Sequence, residues 1–151
     1  MCKLAYDDEE SRYDDLGERT KIFISVQTIY IAAFSFKLAD SEALNLPEDN
    51  YQTFLLAVAG VMLVLSLLLT VVASRILDYE RPFDARDGAL KLGDPAYSRD
   101  EMYEDRIADY VVATERNIRT NDHRARILAA SCYFMVGGIA CHLFALIRFY
   151  L

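Results

Sequence analysis

Polar and apolar positions are segregated along this chain rather than interleaved. The stretches 22–36, 50–74 and 127–147 contain no Asp, Glu, Lys or Arg. A bilayer core of roughly 30 Å needs about 20 apolar helical residues, at about 1.5 Å each. The run 54–73 meets that length with Ser66 and Thr70 as its only polar groups. The run 127–147 meets it too, with His142 as its one imidazole. The run 22–39 is the least apolar, because it holds Gln27 and Lys37. Lys37 sits at the end of the run, where its stem can reach the interface. A soluble bundle with helices apolar on all sides would need a larger core than 151 residues can build. The pattern therefore predicts an all-α integral membrane protein with three transmembrane helices, at about 22–39, 54–73 and 127–147.

The charged remainder sets the orientation, through Lys and Arg alone. The N-terminal segment 1–20 with its junction holds Lys3, Arg12, Arg19 and Lys21, while the loop 40–50 holds none and is acidic at Asp40, Glu42, Glu48 and Asp49. The segment 75–126 holds ten basic residues and twelve acidic ones. The N-terminus and 75–126 are thus expected in the cytoplasm, and the short acidic loop and C-terminus outside. The expected organisation is a cytoplasmic N-terminal segment 1–20, a transmembrane hairpin 21–74, a cytoplasmic helical segment 75–126 and a third transmembrane helix 127–151.

Within 75–126, Pro82, Gly88, Gly93, Asp94 and Pro95 break the first half into turns. Ser98 and Glu101 have capping-box spacing. No Gly or Pro follows until Gly137, so one helix is expected to run from Arg99 into the third apolar segment. Its apolar stripe is Tyr103, Ile107, Tyr110, Val111, Thr114 and Ile118. A stripe on so small a region calls for a partner: the segment 12–20, the loop after the second membrane helix, or another subunit. Nearer the membrane, Arg116, Asn117, Arg119, Asn121 and Arg124 cluster, with Asn117, Asn121 and Arg124 on one face (i, i+4, i+7). Guanidiniums and amides together suit a phosphate or nucleotide. Juxtamembrane arginines more often bind lipid headgroups and set topology, and that reading is the stronger of the two.

Helices in lipid associate through small and hydroxyl residues. The first run offers Ser25, Thr28, Ala32 and Ser35, the second Ala59, Ser66, Thr70 and Ala73, and the third Ala130, Gly137, Gly138 and Cys141. Ser25, Gln27, Thr28, Ser35, Ser66 and Thr70 are candidates for a packing seam or a pore wall. Gln27 and His142 read as packing groups ahead of pore or gate. Three helices enclose no conducting path alone, so a channel would have to be a homo-oligomer.

Composition adds little to this picture. The net charge is −7. Of three cysteines, Cys132 and Cys141 lie in an apolar run and Cys2 is expected exposed, so neither disulfide framework nor metal site is indicated. Nucleophile-elbow, zincin, phosphate-loop and dinucleotide motifs are absent from the sequence. The two histidines, His123 and His142, assemble no evident dyad. No enzyme and no cofactor are expected.

The layout carries a resemblance. A hairpin of apolar helices, a cytoplasmic helix with Ala113, Asn117 and Asn121 in an A-x-x-x-N-x-x-x-N pattern, basic residues, a final apolar helix, and the segment 15–21 (DLGERTK) leading into the first helix are present. Together they resemble the small bacterial membrane effectors of nucleotide-signalling anti-phage defence: SLATT-type proteins, the Pycsar membrane effectors and the Hailong membrane effector. The resemblance implies a multi-pass homo-oligomer of the bacterial inner membrane, with a tetramer favoured. It implies gating by a nucleotide or oligonucleotide made by a partner nucleotidyltransferase, and disruption of the membrane on opening. Arg116, Asn117, Arg119, Asn121 and Arg124 would then be the ligand candidates. The alternative is a non-conducting membrane scaffold that recruits a soluble partner through the Tyr103–Ile118 stripe.

Overall fold

The computed structural model describes residues 2–39, 50–76, 79–81 and 98–150. Among these the chain forms three α-helices and no strand: α1 (Cys2–Ala39), α2 (Asn50–Ser74) and α3 (Arg99–Tyr150). The acidic loop 40–49 and the turn residues Pro82, Gly88, Gly93, Asp94 and Pro95 lie outside the described residues. Two helical stretches are long and apolar enough to cross a membrane, Tyr51–Ser74 and Asp100–Ile147. Only 22 % and 17 % of their most apolar windows are buried within the chain. A core helix of a soluble protein would be mostly covered, so these surfaces require lipid or protein around them.

Contacts divide the chain into two units. One combines Met1–Leu16 with Ile76–Arg124, and the other combines Gly17–Arg75 with Ala125–Leu151. The start of the chain is thus packed with the segment that follows α2. It is also helical throughout: α1 begins at Cys2 and includes Gly17, a residue that costs a helix only about 1 kcal/mol. At the start of α3 the capping box forms as its spacing requires. The Glu101 N–H donates to Ser98 Oγ at 3.2 Å, and the Ser98 N–H donates to Glu101 Oε2 at 2.9 Å. Those two bonds hold the Glu101 carboxyl below its ordinary value of 4.5.

The least exposed positions of each helix recur in steps of three and four. In the first unit they are 6, 9, 13 and 16 of α1, and 110, 113, 117, 121 and 124 of α3. In the second they are 20, 23, 27, 30 and 34 of α1, 52, 56, 59, 63, 66, 70 and 73 of α2, and 128, 131, 135, 138, 142 and 145 of α3. A mean step of about 3.5 residues is the seam of left-handed helix packing. These seams are polar, while large apolar side chains face outward. Thr20, Gln27, Gln52, Ser66, Thr70, Asn117, Asn121, Arg124 and Ser131 are buried, whereas Ile29, Phe54, Val61, Val136 and Phe144 are more than half exposed.

In the second unit α1 runs parallel to α3, and α2 runs antiparallel to both, as the pairings Gln27–Ser131, Tyr30–His142, Gln27–Ser66 and Gln52–Ala145 require. Close approach of α2 and α3 is possible because Gly138 has no side chain. A Cβ there would lie 3.0 Å from Leu63 Cγ and 3.2 Å from the Ala59 carbonyl oxygen.

Candidate functional site

Asn117, Asn121 and Arg124, spaced to share one face of α3, do share it. That face is turned inward, onto the backbone of the first unit. Asn117 Oδ1 accepts the Glu80 N–H at 2.9 Å, and its Nδ2 donates to the Glu80 carbonyl at 3.0 Å. An amide presents the same donor and acceptor pair as a peptide group, so it can replace a missing backbone partner completely. Asn121 Nδ2 donates to the Glu9 carbonyl at 3.1 Å and to Glu9 Oε2 at 2.8 Å. Arg124 reaches the Tyr13 carbonyl at 3.4 Å and lies 5.1 Å from the centre of the Tyr13 ring. Ala113, the first residue of the A-x-x-x-N-x-x-x-N pattern, is buried on the same face. The three residues therefore knit α3 to α1 and to residue 80, although Asn121 Oδ1 and Arg124 Nε are buried without a partner.

Around them sits a cluster of tyrosines. Tyr6 meets Tyr110 edge-on at 5.6 Å and Tyr79 at 5.8 Å, and Tyr13 meets Tyr79 at 4.8 Å. Burial pushes the Tyr6 and Tyr79 hydroxyls above their ordinary value of 10.0. Arg12 closes the rim, donating to Asp122 Oδ1 at 2.7 Å, with Glu9 at 3.6 Å. The Asp122 bond raises the Arg12 pKa further above its ordinary value.

Arg116 and Arg119 are placed differently. Three residues apart on α3, both are exposed, and with Tyr79, Glu80 and Thr120 they line an open recess of about 490 Å³. Arg116 Nη1 holds Glu80 Oε1 at 2.7 Å. Of the five ligand candidates, these two present guanidiniums to open space.

The expected apolar stripe divides as well. Tyr110 packs on Tyr6 and Thr114 is half-buried, its hydroxyl donating to the Tyr110 carbonyl. Tyr103, Ile107, Val111 and Ile118 are exposed.

In the second unit, four side chains from three helices close a polar knot. Ser66 Oγ donates to the Ser131 carbonyl and Ser131 Oγ to the Ser66 carbonyl, each at 2.7 Å. Thr70 Oγ1 lies 2.6 Å from Ser131 Oγ. Gln27 Nε2 donates to Ser66 Oγ at 2.6 Å and to Ser131 Oγ at 3.2 Å. Gln27 Oε1 is buried without a partner. Of the seam candidates, Gln27, Ser66 and Thr70 belong to this knot. Ser25, Thr28 and Ser35 do not: they lie on the exposed side of α1. Ser25 Oγ and Thr28 Oγ1 donate to the carbonyls four residues back, of Lys21 and Ile24. His142 packs, as expected, with Tyr30 Oη 2.7 Å from its Nδ1 and the Phe34 ring 4.7 Å away edge-on.

Sequence reasoning missed Ser131, Gln52 and Glu80. Ser131 had a signal in its seven-residue spacing to Gly138 and Ala145; Glu80 had none. Cys2, expected exposed, is half-buried. Among the described residues no group of His, Cys, Asp and Glu could hold a metal ion. No family model matches the chain, and no curated protein or solved structure is similar to it.

Proposed function

We propose that this chain is one subunit of an oligomeric membrane pore of bacterial anti-phage defence, opened by a nucleotide or oligonucleotide and acting by breaching the inner membrane. In this reading 22–39 is a third membrane crossing, the N-terminus is cytoplasmic, and the chain carries out no catalysis. The observation that carries it is the division of intramembrane polar groups. Gln27, Ser66, Thr70 and Ser131 spend their hydrogen bonds on one another inside the subunit, so that seam is glue. Ser25, Thr28 and Ser35 face outward. Any water path then runs between copies, along the outer face of α1. The signal acts at Arg116 and Arg119, the cations open to solvent in the recess. Purified protein in liposomes, loaded with a potassium-sensitive dye, tests the reading. Ion flux that rises on adding extract from phage-infected cells carrying the neighbouring genes supports it; no flux with or without that extract ends it.

The exposure of Tyr103, Ile107, Val111 and Ile118 favours a second reading, a non-conducting scaffold that docks a soluble partner on this face. Membranes that stay ion-tight, with one protein recovered in stoichiometric amount through that face, would decide for it.

A further inference from the structure

We propose that the Glu80 carboxylate is the resident counter-ion of a phosphate-class anion site formed by Arg116 and Arg119, and that an arriving phosphate displaces it while Asn117 holds the Glu80 backbone in place. The inference deepens the ligand site of the preceding reading, and depends on that reading only for the source of the anion.

The first support is geometric. Arg116 Nη1 already binds an oxyanion, Glu80 Oε1, at the 2.7 Å of a charge-assisted bond. The site is therefore shaped for such a ligand. The second is the way Glu80 is anchored. Both its backbone hydrogen-bonding groups are clamped by Asn117, and Asn117 is fully buried. The carboxylate is 41 % exposed and the Arg116 side chain 66 %, so the carboxylate can swing away without disturbing the chain that bears it. The third is charge. Arg119 lines the same recess, so one carboxylate and two guanidiniums share it. A phosphate, with about −1.5 to −2 charges and three strong acceptor oxygens, matches two such forks better than a carboxylate does. An exposed pair of the Arg116–Glu80 kind is worth a factor of about five or less in an equilibrium constant. Glu80 is thus a weak competitor that raises the threshold for the ligand without blocking it. Thr120 and Tyr79 complete the recess.

The anion could be a soluble phosphate ester or a lipid headgroup, and the test has an arm for each. The full chain is reconstituted in phosphatidylcholine nanodiscs and titrated calorimetrically with inorganic pyrophosphate, as wild type, Glu80→Gln and Arg116→Gln. In parallel, the same three proteins are reconstituted with phosphatidylglycerol and the retained lipid is quantified. Glu80→Gln should bind pyrophosphate about three- to fivefold more tightly than wild type, and Arg116→Gln at least tenfold more weakly. If the natural anion is a headgroup, the same order should appear in retained phosphatidylglycerol with pyrophosphate silent. Equal binding by wild type and Glu80→Gln in both arms overturns the proposal, as does undiminished binding by Arg116→Gln. Tighter pyrophosphate binding in membranes that never pass ions would remove the pore and leave the anion site. Ion flux with unchanged pyrophosphate binding would do the reverse.

Discussion

Ser66 on α2 and Ser131 on α3 exchange hydrogen bonds, each hydroxyl donating to the other's backbone carbonyl at 2.7 Å. Each serine therefore satisfies its own hydroxyl and ties down its neighbour's main chain. In hydrocarbon surroundings such a bond is worth roughly 0.6 kcal/mol and at most about 1.7. Ser66→Ala and Ser131→Ala should each destabilise the detergent-solubilised protein by about 1 kcal/mol, because each also strips a partner from Gln27. The double variant should cost less than the sum, with a coupling of about 0.5 kcal/mol or more. Reversible unfolding in mixed micelles measures all three. Strict additivity would mean that the exchange contributes nothing as a pair.

The glycines of α2 and α3 provide a graded series. A Cβ on Gly138 would meet Leu63 Cγ at 3.0 Å and the Ala59 carbonyl at 3.2 Å. Backbone cannot yield there, so Gly138→Ala should cost about 1–3 kcal/mol by overpacking. At Gly137 the obstacle is Met62 Cε at 2.6 Å, the far end of a flexible thioether that can rotate away. Gly137→Ala should therefore cost less than 1 kcal/mol. Gly60→Ala has nothing nearer than Phe34 Cε1 at 3.9 Å, and should be neutral or gain a few tenths of a kcal/mol from helix propensity. Any other rank order in the same unfolding assay would contradict the tight crossing at Gly138.

The α2 seam was legible because Ser66 and Thr70 stand out in a run of aliphatics, and Ala59 and Ala73 share their face; all four are buried. On α1 the same search for small residues selected Ser25, Thr28 and Ser35, whereas the seam uses Thr20, Gln27, Tyr30 and Phe34. Size was the wrong criterion there. A hydroxyl can return its hydrogen bond to the carbonyl four residues back, as Ser25 and Thr28 do, but the Gln27 amide needs another helix. For Asn117, Asn121 and Arg124, spacing gave the shared face but not its direction. That direction is set by Glu9, Tyr13 and Glu80, which are distant in sequence. The helicity of 2–20 was hidden by an acidic composition that reads equally well as a solvated segment.

Burial lifts the Tyr6 and Tyr79 hydroxyls above 10.0, and the sign of the consequence is fixed. Folding favours the neutral phenol, so this contribution to stability is complete below pH 10 and is lost as pH rises through the higher folded values. Titration at 295 nm should show Tyr6 and Tyr79 ionising late, together with loosening of the first unit. Tyr79→Phe removes a buried hydroxyl that neighbours Tyr6 without forming a well-aligned hydrogen bond. It should be neutral or slightly stabilising at pH 7 and should reduce the late-ionising fraction by one tyrosine. A loss of more than about 1 kcal/mol at pH 7 would show that the hydroxyl is bonded after all.

The sharpest contrast lies between two neighbours on α1. Gln27 is buried, and its Oε1 has no partner. Removing the amide in Gln27→Leu leaves Ser66, Thr70 and Ser131 still bonded to one another, so the knot survives. Thr28 is one residue on, faces outward, and already returns its hydroxyl to the Ile24 carbonyl. Thr28→Leu, alone or with Ser25→Leu, therefore leaves the subunit intact while replacing hydroxyls by bulk on the outer face. If water and ions pass between copies along that face, Gln27→Leu should conduct within about twofold of wild type. Thr28→Leu with Ser25→Leu should cut single-channel conductance severalfold with unchanged subunit stability. Planar-bilayer recordings of the three proteins separate the cases. Loss of current in Gln27→Leu beside full current in the outer-face variants would move the path into the subunit's own seam, and the pore between copies would have to be abandoned.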